Sequence, residues 1–344
     1  MSPIRHRTLL ASAVALSAAT AAHAEDVITL DRLVVTASGF EQKLTDAPAS
    51  ISVISQQDLQ EKRYNSLAHA LGDVEGIDIG QGTGKTGGLN ISIRGMPSEY
   101  TLILIDGRRQ NAAGNVTPNG FNETSTSFMP PLSAIERIEV IRGPMSTLYG
   151  SDAMGGVINI ITRKVASEWT GSVTLDHTFQ ENSDYGATSN ASLYTSGPLV
   201  EDLLGLQLRA SVFDRQESDL SFGDGSDVSK RGPSPVDGRN HTLGARLTLT
   251  PHDDHDFSLD FERGRQRYNN DECQLGTLDG LNRACTAPST TANGYADELR
   301  FEREQIALTH TARLGIGTLD SSLMRSQTET IGRTLPGDPI GSPS

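Results

Sequence analysis

Four groups of residues in this chain have types and spacings that could do chemistry. His252-Asp253-Asp254-His255-Asp256 puts two imidazoles and three carboxylates into one short stretch, a composition that can hold a metal ion. The stretch also reads as a solvated acidic turn, and that reading is the stronger, so no metal site is assigned. Gly82-Thr83-Gly84-Lys85-Thr86-Gly87 matches G-x-G-x-x-G, and Gly84-Lys85-Thr86 imitates the end of a phosphate loop. Ile79 stands where that loop needs glycine, and no amphipathic helix follows, so the stretch reads as a glycine-rich loop. Arg108 and Arg109 follow the reversal signal Asp106-Gly107 and open the long segment Gln110 to Met129. Cys273 and Cys285 are the only 2 cysteines. No nucleophile–base arrangement and no paired-carboxylate signature stands out, so nothing here reads as an enzyme.

The elements that must position these groups fall into two grammars behind an export signal. Residues 1–24 read as a secretory leader: Arg5 and Arg7, the apolar run Thr8 to Ala22, and the small-x-small site Ala22-His23-Ala24. In an exported chain an isolated cysteine pair is most simply a disulfide, worth about 3 kcal/mol for so short a loop. Leu33-Val34-Val35 is a short β-prone stretch in the polar segment that follows, suited to add to another protein's sheet edge. The net charge of −14 argues against nucleic acid as a partner. The 34 glycines fit a turn-rich β protein.

From 46 to 165 the pattern is α+β. Short strands are expected at Ile51 to Ile54, Ile77 to Ile79, Asn90 to Arg94, Thr101 to Ile105, Glu136 to Ile141 and Gly156 to Thr162. Ser55 and Asp58 are placed to cap a helix. After Trp169 the period becomes two. Val173, Leu175 and Phe179, then Leu206 to Val212, Leu243 to Leu249, Phe257 to Phe261, and Ile306 with Leu308 alternate with polar and charged residues. The connectors alternate short and long from the second strand onward, the arrangement of a transmembrane β-barrel.

The series Ile91-Ser92-Ile93-Arg94-Gly95, Thr101 to Arg109, Ile135 to Pro144, Leu148-Tyr149-Gly150-Ser151-Asp152-Ala153 and Gly155 to Thr162 resembles the plug domain of TonB-dependent outer-membrane receptors. Thr101 to Gly107, Ser133 to Asp152 and Ala47 to Ile54 resemble most the colicin I receptor branch. The resemblance implies an α+β plug domain followed by the first antiparallel strands of a large transmembrane β-barrel, incomplete in this chain. The expected division is 1–24 leader, 25–45 TonB box and linker, 46–165 plug, and 169–344 about seven barrel strands. It also implies an outer-membrane receptor of a Gram-negative bacterium that takes up ferric siderophores, the catecholate type favoured. Haem, cobalamin or another chelate is the alternative cargo. A periplasmic plug-like binding or signalling module is the alternative class.

The resemblance implies partners and site residues as well. Leu33, Val34, Val35, Thr36 and Ala37 would be the contact with TonB and, through it, with the inner-membrane energising complex. Arg94, Glu139 and Arg142 would latch plug to barrel, with plain structural pairing preferred for Arg94. Arg108, Arg109 and Phe121 are candidate contacts for an anionic ferric complex, set against a solvated arginine pair. Iron would arrive as cargo, so no cofactor is expected. Lipid, and colicins or phage, complete the expected partners. The end, Pro336 to Ser344, reads as a loop, so the chain is expected to be a fragment or truncated product that does not transport alone.

Overall fold

A computed structural model of the chain describes residues 33–34, 42–43, 50–62, 64, 67–80, 90–110, 126–219, 236–269 and 295–333. The leader, the glycine-rich loop at 82–87, Phe121, Cys273 and Cys285 lie outside them. So do Val35, Thr36 and Ala37. In chain order the first strands are β1 (Leu33–Val34) and β2 (Gln42–Lys43), paired antiparallel with Leu33 opposite Lys43.

Next come β3 (Ile51–Ser55), α1 (Gln56–Glu61), α2 (Leu67–Gly72), β4 (Ile77–Gly80) and β5 (Asn90–Ile93). Ser55 caps α1 as its type and spacing predict. The Asp58 N–H donates to the Ser55 hydroxyl (3.1 Å), and the Ser55 N–H donates back to the Asp58 carboxylate (2.9 Å). Then follow β6 (Thr101–Ile105), β7 (Arg108–Arg109), β8 (Ile135–Arg142), α3 (Ser146–Tyr149) and β9 (Gly156–Thr162).

Strands β3-β8-β9-β6-β7 form one sheet in that order. Its β6 and β9 run parallel, and the other pairs are antiparallel. Every residue of β6 is buried, because both faces of the strand are covered. Ile103, Ile105, Ile138 and Ile158 pack toward Leu59, Leu67 and Leu71, while Leu102, Leu104 and Val157 pack with Met145 on the other side. Strands β6 and β7 are joined by Asp106-Gly107, both at positive φ (49° and 75°), the conformation that a two-residue hairpin requires. That turn carries the Asp106 carboxyl out of the sheet.

Seven longer strands follow: β10 (Thr170–Thr178), β11 (Thr188–Val200), β12 (Leu204–Arg215), β13 (Gly238–His252), β14 (His255–Asn269), β15 (Tyr295–Leu314) and β16 (Gly317–Arg333). They form an antiparallel sheet in sequence order, and β10 and β16 are its two outer strands. Short connections at 201–203, 253–254 and 315–316 alternate with longer ones at 216–237 and 270–294. Gly197 and Pro198 are turn-forming types, yet the turn itself is confined to 201–203. Strand β11 continues through Val200 because a register shift between Pro198 and Val200 absorbs the proline.

The register makes two faces of opposite chemistry. Leu206, Leu247, Leu259, Leu308 and Leu323 are successive cross-strand partners from β12 to β16, one unbroken row of leucine. One residue along each strand, Gln207, Arg246, Asp260, Ala307 and Met324 form the parallel row on the other face. The leucine row stands out from the protein, with Leu323 75% exposed, while Gln207, Arg246 and Asp260 are buried. The apolar face ends higher on β12 than on β16: Val212 is opposite His241, Leu243 opposite Arg263, and Ile306 opposite Arg325. Strands tilted across a lipid layer give such a stepped boundary. Leu259→Arg in this row should therefore cost about 2–4 kcal/mol of stability in lipid. Urea titration of the protein folded into vesicles measures it, and an unchanged midpoint would remove the lipid-facing assignment.

Candidate functional site

The Asp106 carboxyl sits where the plug sheet meets the inner face of the long strands. It accepts from the Thr162 N–H and the Thr162 hydroxyl, both at 2.8 Å, and from Arg246 Nη2 at 2.5 Å. The neighbouring Gly107 N–H donates to Asn159 Oδ1 (3.1 Å), which fixes the hairpin against β9. Arg246 is shared. Its Nε donates to Asp260 Oδ1 (2.8 Å) and its Nη1 to the Thr162 hydroxyl (2.8 Å). Asp260 takes a second guanidinium from the plug, Arg108 Nη1 at 2.9 Å.

The cluster continues along β12, β14 and β15. Arg209 Nη2 lies 3.7 Å from Asp260 and 3.6 Å from Glu262, and Arg303 Nη2 donates to Glu262 at 2.8 Å. Gly244 makes room for it: a Cβ there would stand 2.5 Å from Arg209 Nε. Four guanidiniums thus alternate with three carboxylates, so every carboxylate in the cluster meets at least one cation. Such pairing is what permits buried charge, and removing one member costs far more than the pair contributes.

Burial works against the ionised form of Asp106. The charges of Arg246 and then Arg108, with the Thr162 amide, outweigh it and bring its pKa down to about 2. A depressed carboxyl pKa contributes stability that is present above the ordinary value of 3.8 and is lost as pH falls through about 2. Asp106→Asn should remove on the order of 2 kcal/mol of neutral-pH stability and flatten the acid limb between those two values. Denaturant titration across that range checks it, and an acid limb equally steep in the variant would contradict it.

The residues singled out from motifs are placed differently. Arg94 is exposed on the turn after β5, with φ 52° and its amide bonded to Gly76 O at 2.8 Å. Glu139 is fully buried and accepts from Arg137 Nε (2.9 Å) on the same strand. Arg142 Nη1 donates to Glu75 O (2.8 Å). These described partners all lie within the plug, whereas Asp106 and Arg108 reach the long strands. Arg108 is tied to Asp260 and Asp106, and Arg109 pairs with Asp152 at 2.8 Å with its side chain 43% exposed. His252 Nδ1 lies 3.4 Å from Asp254, and no group of three metal-ligating side chains occurs among the described residues.

Sequence reasoning missed Arg209, Arg246, Asp260, Glu262 and Arg303. The available signal was charge at positions alternating with leucine, in Leu208-Arg209-Ala210 and Leu259-Asp260-Phe261 for example.

Residues 43–157 match the TonB-dependent Receptor Plug Domain. An iron-regulated outer membrane virulence protein of Vibrio cholerae is 38% identical over 328 residues, which cover 95% of this chain and 47% of that protein. The chain carries a TonB-dependent receptor plug domain. Ferric enterobactin receptor PirA of Pseudomonas aeruginosa is 33% identical over 86% of this chain and 40% of its own length. Vitamin B12 transporter BtuB of Vibrio vulnificus is 42% identical, but over 49% of this chain and 27% of its own. The crystal structure of the siderophore receptor PirA from Acinetobacter baumannii superposes with TM-score 0.64 and 28% identity, covering 81% of this chain and 40% of that one. The chain therefore spans less than half the length of these relatives.

In a TonB-dependent receptor the sheet β3-β8-β9-β6-β7 is the plug, and β10 to β16 are strands of the barrel. The Asp106–Arg246–Asp260–Arg108 cluster is then a plug–barrel contact. Chemically it is a network of charge-assisted hydrogen bonds between the two sheets.

Proposed function

We propose that the complete receptor imports a ferric siderophore, of the catecholate type, across the outer membrane using energy delivered by TonB. The observation that supports this reading most is the seat of the plug. Its Asp106 hairpin is held by charge against the inner face of strands whose outer face is leucine. Cargo cannot pass that seat without loosening it, which calls for work done from the inner side. Leu33–Val34, already extended in β1, is the segment we assign to TonB, together with Val35, Thr36 and Ala37. The catecholate cargo is supported by the similarity to an enterobactin receptor over most of the chain.

Arg109 is the better of the two arginines for an anionic cargo, because Arg108 is committed to Asp260. Arg109→Ala should weaken ferric enterobactin binding by about 1–3 kcal/mol, the scale of a lost charge-assisted hydrogen bond. The similarity to a vitamin B12 transporter supports cobalamin as the second reading. Equilibrium binding of ferric enterobactin, haem and cobalamin to the purified complete receptor separates the two. Tight binding of cobalamin alone would overturn the siderophore reading and leave the receptor class standing.

A further inference from the structure

Arg303 does more than balance Glu262. It is 3% exposed, and its two terminal nitrogens reach two separate parts of the plug. Nη1 donates to Gln110 O at 3.5 Å, just past the Asp106 hairpin, and Nη2 donates to Phe128 O at 3.1 Å. The Phe128 ring is itself seated. It stacks on Phe301 (centroids 5.3 Å apart, 7° between planes) and lies under the Arg303 guanidinium at 5.1 Å. Gly264 forms the floor: a Cβ there would fall 2.3 Å from the ring, a distance no packing adjustment of the ring in place can accept. Gln266 adds a bond to Ser127 O at 3.2 Å.

We infer that Arg303 is a positioning residue that couples two plug anchors: the Phe128 seat on Gly264 and Phe301, and the charged hold on Asp106 and Arg108. Through Glu262 and Arg209 the same guanidinium is continuous with Asp260, which holds Arg108. Expelling Phe128 therefore shifts Arg303, frees Gln110 and loosens the hairpin beside it. The two anchors leave the wall together. This inference rests on the reading of the plug as a part displaced during import.

The test is hydrogen–deuterium exchange on the complete receptor, without cargo or TonB. Gly264→Ala forces the ring out while leaving every charge in place. Amides at 106–110 and at 126–132 should both exchange about tenfold faster, the change that ~1.4 kcal/mol of opening free energy produces. A seat that is only local packing would move 126–132 alone, and that result overturns the proposal. Adding Phe128→Ala to Gly264→Ala removes the clash and leaves the Phe128 carbonyl in place. Exchange at 106–110 should then return to within about threefold of the parent. Arg303→Lys keeps the charge, but its single ammonium cannot serve both carbonyls, so both segments should speed up even if Gly264→Ala does not fold. Unchanged exchange at 106–110 in Arg303→Lys overturns the coupling as well. Because neither cargo nor TonB enters the measurement, its outcome is independent of whether the import reading holds.

Discussion

A receptor carrying Val34→Pro should bind cargo at the cell surface and import almost none of it. Val34 is in extended conformation, opposite Gln42 in a two-residue ladder. Strand addition to TonB would be made of backbone hydrogen bonds, so side-chain chemistry at this position matters less than the N–H. Proline removes that donor and fixes φ, and a neighbouring pairing is lost with it. A loss of about 3 kcal/mol in the pairing lowers occupancy, and with it uptake, on the order of 100-fold. Uptake of radioactive iron by whole cells reads the effect, and binding to chilled cells provides the control. Val34→Ala, which keeps the N–H, should import nearly as well as the parent. Undiminished uptake by Val34→Pro would remove Leu33 to Ala37 from the TonB contact.

The largest structural effect is expected from Arg246→Met. Arg246 bonds Asp106 at 2.5 Å and Asp260 at 2.8 Å, and its loss takes from each of these two carboxylates its shortest guanidinium contact. Breaking a buried pair from one side costs about 3–5 kcal/mol. The plug should loosen from the wall, and protease should cut it in the folded receptor. Adding Asp106→Asn to Arg246→Met should recover part of the loss, since the stranded carboxylate is then neutral. Strictly additive losses in that pair would mean that the two side chains do not act as one contact.

How far the sequence reaches can be judged from these residues. Asp106-Gly107 and the Ser55–Asp58 box are local, decided by residues two or three apart, and both read correctly from their types. The apolar alternation is local too, and it marks β10, β12, β13, β14 and β15 in the right order. Its ends are less legible. Phe179 continues the alternation of β10 but lies beyond it, because β10 stops at Thr178, where its partner β11 begins at Thr188.

The charged hold is a different kind of fact. Asp106, Arg246 and Asp260 meet only because a plug turn docks at one height of β13 and β14, and no spacing in the sequence encodes that height. Motif resemblance pointed to Arg94, Glu139 and Arg142, whose described bonds are within the plug. It pointed to Arg108 as a ligand contact, where the structure gives that guanidinium to Asp260. Phe128 and Gly264 carried no sequence signal beyond an aromatic and a glycine. Their meaning appears only once the missing Cβ is seen to be the space that the ring occupies.

We propose that this plug and these strands belong to a receptor whose cargo crosses only when TonB pulls. The most direct measurement is accumulation of radioactive ferric enterobactin in iron-starved cells that differ only in a working TonB, with the complete receptor as the sole outer-membrane route. Cells with TonB should accumulate iron over time, while cells without it should show the same surface binding and no accumulation. Equal accumulation in both would contradict the account.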